Sequence, residues 1–199
     1  LYSKAKIDKL NLLYENEQYL MNKKVDADLI TKINVNSLSF VFEQNDLMIN
    51  QLPVDFKGKF DFIKDGYAMD FIIKSNDSNL KDVFTAFPPK YISWLNKTEI
   101  KGKTDFILTL KGNYIESKKI APDLSLDLKI RDGFIDYEKS GFPISNLNLE
   151  MKTSLPSLNP ELLIVDTKSI SLNINQDYLK AKLFVKGMNV PEIDATFQS

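Results

Sequence analysis

Leu124-Ser125-Leu126-Asp127-Leu128-Lys129-Ile130 alternates apolar and polar residues without a break. A period of two sends the aliphatic side chains to one side of an extended chain and Ser125, Asp127 and Lys129 to the other. Working outward, the same grammar recurs. Thr104, Phe106, Leu108 and Leu110 oppose Lys103, Asp105, Thr109 and Lys111, and Leu147, Leu149 and Met151 oppose Asn148, Glu150 and Lys152. Ile170, Leu172 and Ile174 alternate with Ser171, Asn173 and Asn175. Leu179, Ala181, Leu183 and Val185 alternate with lysines, although Phe184 interrupts the polar side. The N-terminal half repeats the pattern through Val25/Ala27/Leu29, Leu38/Phe40/Phe42, Leu52/Val54/Phe56 and Tyr67/Met69/Phe71/Ile73. Strands with one apolar and one charged side predict a mainly β protein, an antiparallel sheet with one wet face.

Asp65-Gly66 and Asp132-Gly133 lie between alternating runs, and Asp-Gly is a strong signal for a tight hairpin. Their surroundings, Phe62–Tyr67 and Lys129–Phe134, resemble each other, as do Leu38–Phe42 and Leu147–Met151, so a degenerate repeat is one expectation. One segment changes period. Leu80, Val83, Phe84 and Phe87 fall at helical spacing, with Asn79 as the expected N-cap and Pro88-Pro89 as the stop. Tyr91, Ile92, Trp94 and Leu95 extend this helical insert, expected near residues 79–95. The insert reads as a helix packed on the apolar face, as a lid or plug (Leu80, Val83, Phe84, Phe87, Tyr91, Trp94) on an apolar groove, or as a membrane-interface contact.

Composition narrows the function. The 199 residues carry 26 basic and 27 acidic side chains, a net charge of −1, which gives no overall attraction for nucleic acid or for anionic lipid. Arg131 is the only arginine, so bidentate phosphate or base readout has little to work with. The absence of histidine removes the usual general base and the commonest metal ligand. The absence of cysteine removes thiol nucleophiles, zinc clusters and disulfides, without assigning a compartment. Asp26 and Asp28 share one side of a strand, but so does any solvated face. Asn76-Asp77-Ser78-Asn79 lacks the glycine and distal glutamate of a calcium loop. Serine–lysine neighbours such as Ser117-Lys118 are expected by chance in so lysine-rich a chain. No catalytic residue, metal site or cofactor is expected, and the chain reads as non-enzymatic. The longest aliphatic run, Leu162-Leu163-Ile164-Val165, is far short of the ~20 residues that span a bilayer. Both termini read as cut from a longer protein.

A one-sided sheet covers its apolar face with a second sheet, by closing into a barrel, or by curling into a groove that holds apolar ligand. Periodicity leaves the three open. From Ser78 onward, however, the order of elements resembles the AsmA family of Gram-negative bacteria. The resemblance runs through Leu80–Tyr91, a short helix ending in proline, and Ile100-Lys101-Gly102-Lys103-Thr104-Asp105-Phe106, where a glycine opens a long strand. It continues through Pro122–Ile130 into Asp132–Tyr137, then Phe142–Leu149, and finally Leu179–Gly187 before Pro191–Ala195.

The resemblance implies an extended, twisted antiparallel sheet curled into an open groove or half-barrel. The chain then divides into a β-groove segment of antiparallel strands (1–77), which shares only β-character with the family, the insert (78–97) and an AsmA-like β-groove segment (98–199). The resemblance also implies a periplasmic, inner-membrane-anchored parent built of repeated β-groove modules. Its role would be lipid transport between inner and outer membrane, in outer-membrane biogenesis. Expected partners are phospholipid or another acyl lipid and adjacent modules of the same chain, with no nucleic acid. Membrane contact would run through parts of the parent outside this segment. The expected groove lining is Phe106, Leu108, Leu124, Leu126, Leu128, Leu147, Leu149, Met151, Ile170, Leu172, Ile174, Leu183 and Val185. The alternative is a structural or adhesive β-sandwich of a surface protein with no lipid role.

Overall fold

A computed structural model describes residues 1–14, 17–87 and 92–199, apart from the side chains of Leu12, Tyr14, Glu17, Tyr19 and Gln44. Tyr91 and Pro88-Pro89, two of the expectations above, lie outside the described residues. The strands are β1 (Tyr2–Tyr14), β2 (Glu17–Asn34), β3 (Ser39–Ile49), β4 (Leu52–Ile63), β5 (Gly66–Asn79) and β6 (Thr98–Tyr114). They continue as β7 (Asp123–Tyr137), β8 (Ile144–Leu155), β9 (Ile164–Ile174), β10 (Asp177–Lys186) and β11 (Glu192–Gln198). All eleven form one sheet in sequence order, every neighbour antiparallel, so β1 and β11 remain edges and no barrel closes. The expected mainly β, open, curled antiparallel sheet with one short helical insert is what the chain forms.

That insert is α1 (Leu80–Ala86), followed by a 3-10 turn at Leu95–Lys97. Asn79 sits at the N-cap, yet its side chain does not cap the helix; its Nδ2 donates to Asp82 Oδ2 at 2.9 Å. The first-turn Asp82 is itself buried, which explains why Asn79 spends its side chain there rather than on the helix backbone.

Asp65-Gly66 and Asp132-Gly133 prove unlike. At the first, Ile63 pairs with Gly66 across a two-residue turn, Lys64-Asp65, and Asp65 takes the positive φ of 67°. Gly66 is already strand, and it is needed for space: a Cβ there would lie 2.0 Å from the Tyr114 carbonyl oxygen. At the second there is no hairpin. β7 runs unbroken from Asp123 to Tyr137, and Asp132, at φ 50°, is part of a bulge between Ile130 and Gly133. The correction has a plain cause. Asp at positive φ followed by glycine serves a bulge as well as a turn, and local sequence does not distinguish them. The Asp-Gly pair therefore gives no support to a repeat.

Strand ends define two margins. The insert margin gathers the β3–β4 turn, the α1 insert and the β7–β8 and β9–β10 turns. The free margin gathers the β2–β3, β4–β5, β6–β7, β8–β9 and β10–β11 turns. Irregularities concentrate toward the insert margin: Asn22, Asp77, Asp132 and Asn146 each take φ near 50° inside a strand, beside a register shift. Bulges bend the strand that carries them and raise its twist, which curls this margin. Arg131 ties three strands together here. It donates to both carboxylate oxygens of Asp105 and to Asp77, and the Asp77 amide donates to Asp105 at 2.7 Å.

The enclosed core lies under the insert. Leu80, Leu95, Ile100 and Ile130 form a buried cluster, with Phe84, Ile92, Trp94, Leu128, Leu147 and Leu149 packed on it. Phe84 meets Trp94 edge-on, with ring centroids 5.3 Å apart. Elsewhere most of the apolar side is half-covered, although Leu52, Val54, Thr167 and Ala181 are also buried. Asn45, 2% exposed, fills the β3 bulge, accepting from the Ile30 amide and donating to the Phe56 carbonyl, both at 2.9 Å.

Candidate functional site

Directly paired residues of an antiparallel ladder project to the same side, so register assigns each face. On the apolar side, Phe56, Ile73, Leu108, Leu126, Thr153, Val165, Val185 and Ile193 form one row running from β4 to β11. Beside it runs Ser75, Phe106, Leu128, Met151, Thr167, Leu183 and Ala195. A third, Phe42, Gly58, Phe71, Leu110, Leu124 and Leu155, completes a continuous strip across the strands.

The expected lining residues therefore share one face. Phe106, Leu108, Leu124, Leu126, Leu128, Leu147, Leu149, Met151, Ile170, Leu172, Leu183 and Val185 are all half-buried, while Ile174 at the insert margin is 41% exposed. Of these, Leu128, Leu147 and Leu149 pack against the insert cluster, and the others lie outside it. Of the expected lid residues, Leu80 is buried, Val83, Phe84 and Trp94 are half-buried, and Phe87 is 44% exposed.

Reading the lining from residue 106 onward misses the most aromatic part of the same face. Phe42, Phe56, Phe60, Phe62, Tyr67 and Phe71 form a connected ring cluster on β3–β5, with centroid separations of 5.2–6.4 Å among neighbours. The signal was present, since Phe56 and Phe71 lie in the same alternation that marks Leu126. It needed the register to connect the two halves of the chain.

A buried cation lies on the apolar side. Lys23, from β2, is 5% exposed, and its Nζ donates to the Thr85 and Phe87 carbonyls at the end of α1, the latter at 3.0 Å. Asn50 Nδ2 reaches the same Thr85 carbonyl at 3.2 Å. Burial holds the Lys23 ammonium below the usual lysine range. The terminal carbonyls of a helix attract a cation, so the insert is latched across the sheet from β6 to β2.

The opposite side is mostly charged, with Ile107 and Phe184 as exposed apolar exceptions. Lys4, Asp28, Asp46, Asp55, Lys74, Ile107, Asp127, Lys152, Asp166, Phe184 and Asp194 form one row from β1 to β11. Asp28 pairs with Lys4 at 3.3 Å and Asp26 with Lys24 at 3.9 Å, which makes this carboxylate pair part of a solvated ladder. An open hollow of about 610 Å³ has Lys4, Asp28, Asp46, Asp55 and Lys74 in its walls. No group of three acidic side chains among the described residues is placed to hold a metal ion.

No family model, curated protein or solved structure matches the chain. Function must be argued from the surface itself. That surface offers area, not directional contacts: aliphatic and aromatic side chains in rows, with Thr153, Thr167 and Ser75 as isolated hydroxyls. Ser75 Oγ is already engaged by the Pro53 carbonyl at 2.7 Å. Among the described residues, no helix is long and apolar enough to cross a membrane.

Proposed function

We propose that this sheet is a non-enzymatic trough for the acyl chains of phospholipid or a similar lipid. The observation that supports it is the apolar strip running without interruption from β4 to β11, roofed only near the insert margin. Acyl chains would lie along the rows, each methylene contributing about 0.8 kcal/mol on leaving water, with no need for oriented polar groups. Head groups would stay wet along the open side. The charged reverse face keeps the sheet soluble around its load.

With the likeness of residues 78–199 to the AsmA family, this reading becomes one module of a periplasmic conduit. Its parent would be anchored in the inner membrane, and adjacent modules would carry phospholipid onward to the outer membrane. No single side chain is essential to such a path, because what it needs is a continuous surface. A surface-protein sandwich, the competing reading, requires two sheets packed face to face, and the described strands form one.

Native mass spectrometry and organic extraction of the purified protein test the proposal. Co-purifying acyl lipid, reduced by Met151→Asp in the middle of the strip, is the expected result. A lipid-free protein that also fails to take up added phospholipid overturns it.

A further inference from the structure

The free margin carries an oddity that the trough reading does not use. Among the described residues, eleven other than glycine have positive φ, and seven of these are Asn or Asp, the side chains that tolerate it best. The other four, Leu38, Lys119, Ser157 and Leu158, all stand on turns of the free margin. Leu38 (φ 49°) and Leu158 (φ 48°) are 49% and 41% exposed. An exposed leucine in a left-handed turn is unfavourable twice over, through backbone strain and through hydration, where asparagine would avoid both. Strain of this kind is retained where the side chain is needed outside.

The neighbouring turns do the same. Val35 shares the β2–β3 turn with Leu38, Ile120 sits on the β6–β7 connection, Leu162 accompanies Leu158, and Met188 and Val190 occupy the β10–β11 turn, Val190 being 84% exposed. Successive hairpin tips on one margin are two strands apart, about 10 Å. The result is a comb of separate aliphatic tips, with polar turn residues between them. Lys64, on the β4–β5 turn that bears no aliphatic tip, and Lys118 and Lys119, on the β6–β7 connection, are exposed and without an ion pair to a described residue. Asp65, Glu116, Asp123 and Glu161 stand on or beside these turns, Asp123 accepting from the Ser157 amide and Glu161 from Asn189, so the charges there nearly cancel.

We infer that the free margin is a bilayer-docking edge, whose aliphatic turn tips enter the interface of a phospholipid membrane while Lys64, Lys118 and Lys119 meet the phosphates. A protein partner would favour one contiguous patch, whereas spaced tips each find acyl surroundings in a bilayer. The inference goes beyond the trough reading and stands without it.

The test is co-sedimentation with vesicles of phosphatidylcholine and phosphatidylglycerol. The double variant Leu38→Asn/Leu158→Asn suits it, since asparagine relieves the strained turns and should leave Tm unchanged or higher. Partitioning should fall at least ~10-fold on removal of two inserted leucines. Val35→Ser/Val190→Ser should act likewise, and Phe142→Ser/Tyr178→Ser on the insert margin should change little. Absent binding by the wild-type chain, unchanged partitioning of both free-margin variants, or equal loss from the insert-margin control would overturn the inference. So would light scattering that shows these variants breaking a dimer while partitioning is kept. Acyl occupancy, read in parallel by native mass spectrometry, separates the two readings: a lipid-free protein that still partitions defeats the trough and upholds the docking edge.

Discussion

Leu126 and Ile130 lie four residues apart on β7 and face the same side, but only Ile130 is under the insert. Introducing aspartate at each measures what covers the apolar face. Leu126 is half-buried between Leu108 and Thr153. Its replacement forfeits about half the burial of a leucine, ~1 kcal/mol, and the lower strand preference of aspartate adds up to ~1 kcal/mol. The new carboxylate remains hydrated if the face is open, so the total is about 2 kcal/mol. Ile130, at 7% exposed, packs with Leu80, Leu95 and Ile100. Removing it costs ~2–5 kcal/mol, and burying an unpaired carboxylate adds several more. With a urea m-value near 2 kcal/mol/M, Leu126→Asp should move the unfolding midpoint by about 1 M and Ile130→Asp by more than 2 M. The same samples, examined by native mass spectrometry, should show Leu126→Asp folded and depleted of acyl lipid. Equal destabilisation at the two positions would mean that Leu126 is covered by a layer of protein and that the face is not open.

Lys23→Met should release α1 without disturbing the sheet, costing ~1–2 kcal/mol for the lost charge-assisted hydrogen bonds. Hydrogen exchange should quicken in residues 80–86 and stay slow in β6 and β7, and equal quickening everywhere would remove the latch. Asn45→Ala should cost ~2–3 kcal/mol in thermal or urea unfolding, since it leaves the Ile30 amide and the Phe56 carbonyl unpaired inside the β3 bulge. Asp105 is held below its ordinary value of 3.8, chiefly by the Arg131 hydrogen bonds and then by the Asp77 amide, against some desolvation. A depressed carboxylate contributes stability that is complete above the unfolded pKa and is lost as pH falls through the folded one. Asp105→Asn should therefore cost ~1 kcal/mol at neutral pH and flatten the stability profile below pH 4, as followed by urea unfolding across the acid range.

The strands were legible because each side chain had one of two environments, and Leu126 beside Asp127 states that choice directly. The insert was legible because Leu80, Val83, Phe84 and Phe87 change period. Asp132-Gly133 misled because a bulge and a turn ask the same thing of the backbone, and only the partner strand decides between them. Lys23 carried no signal at all. It sits two residues before Val25 in the β2 alternation, and its value depends on carbonyls more than sixty residues away. The aromatic cluster was legible strand by strand and invisible as a cluster, since Phe42 and Phe71 become neighbours only through Gly58. The third row passes at that point because a Cβ on Gly58 would lie 2.4 Å from the Asp70 carbonyl and 2.5 Å from the Phe71 ring.

Stability and the proposed lipid binding make opposite demands on such a face, and burial is distributed unevenly along it. Only eight apolar residues among those described are fully buried, and Leu80, Leu95, Ile100 and Ile130 of these lie in the one cluster at the insert. The remainder of the sheet relies on backbone ladders, half-buried rows and ion pairs such as Lys129–Glu150 at 2.6 Å and Lys152–Asp127 at 3.1 Å. Each exposed pair contributes at most ~1 kcal/mol, so no single pair holds the sheet together. A sheet held this way tolerates an uncovered apolar face, because its integrity does not depend on that face being packed. It also concentrates vulnerability in one place. Substitutions along the rows should be individually mild, whereas loss of the insert cluster strips the only enclosed core the described residues contain. The roof over Ile130 is thus a structural requirement of keeping the rest of the trough open.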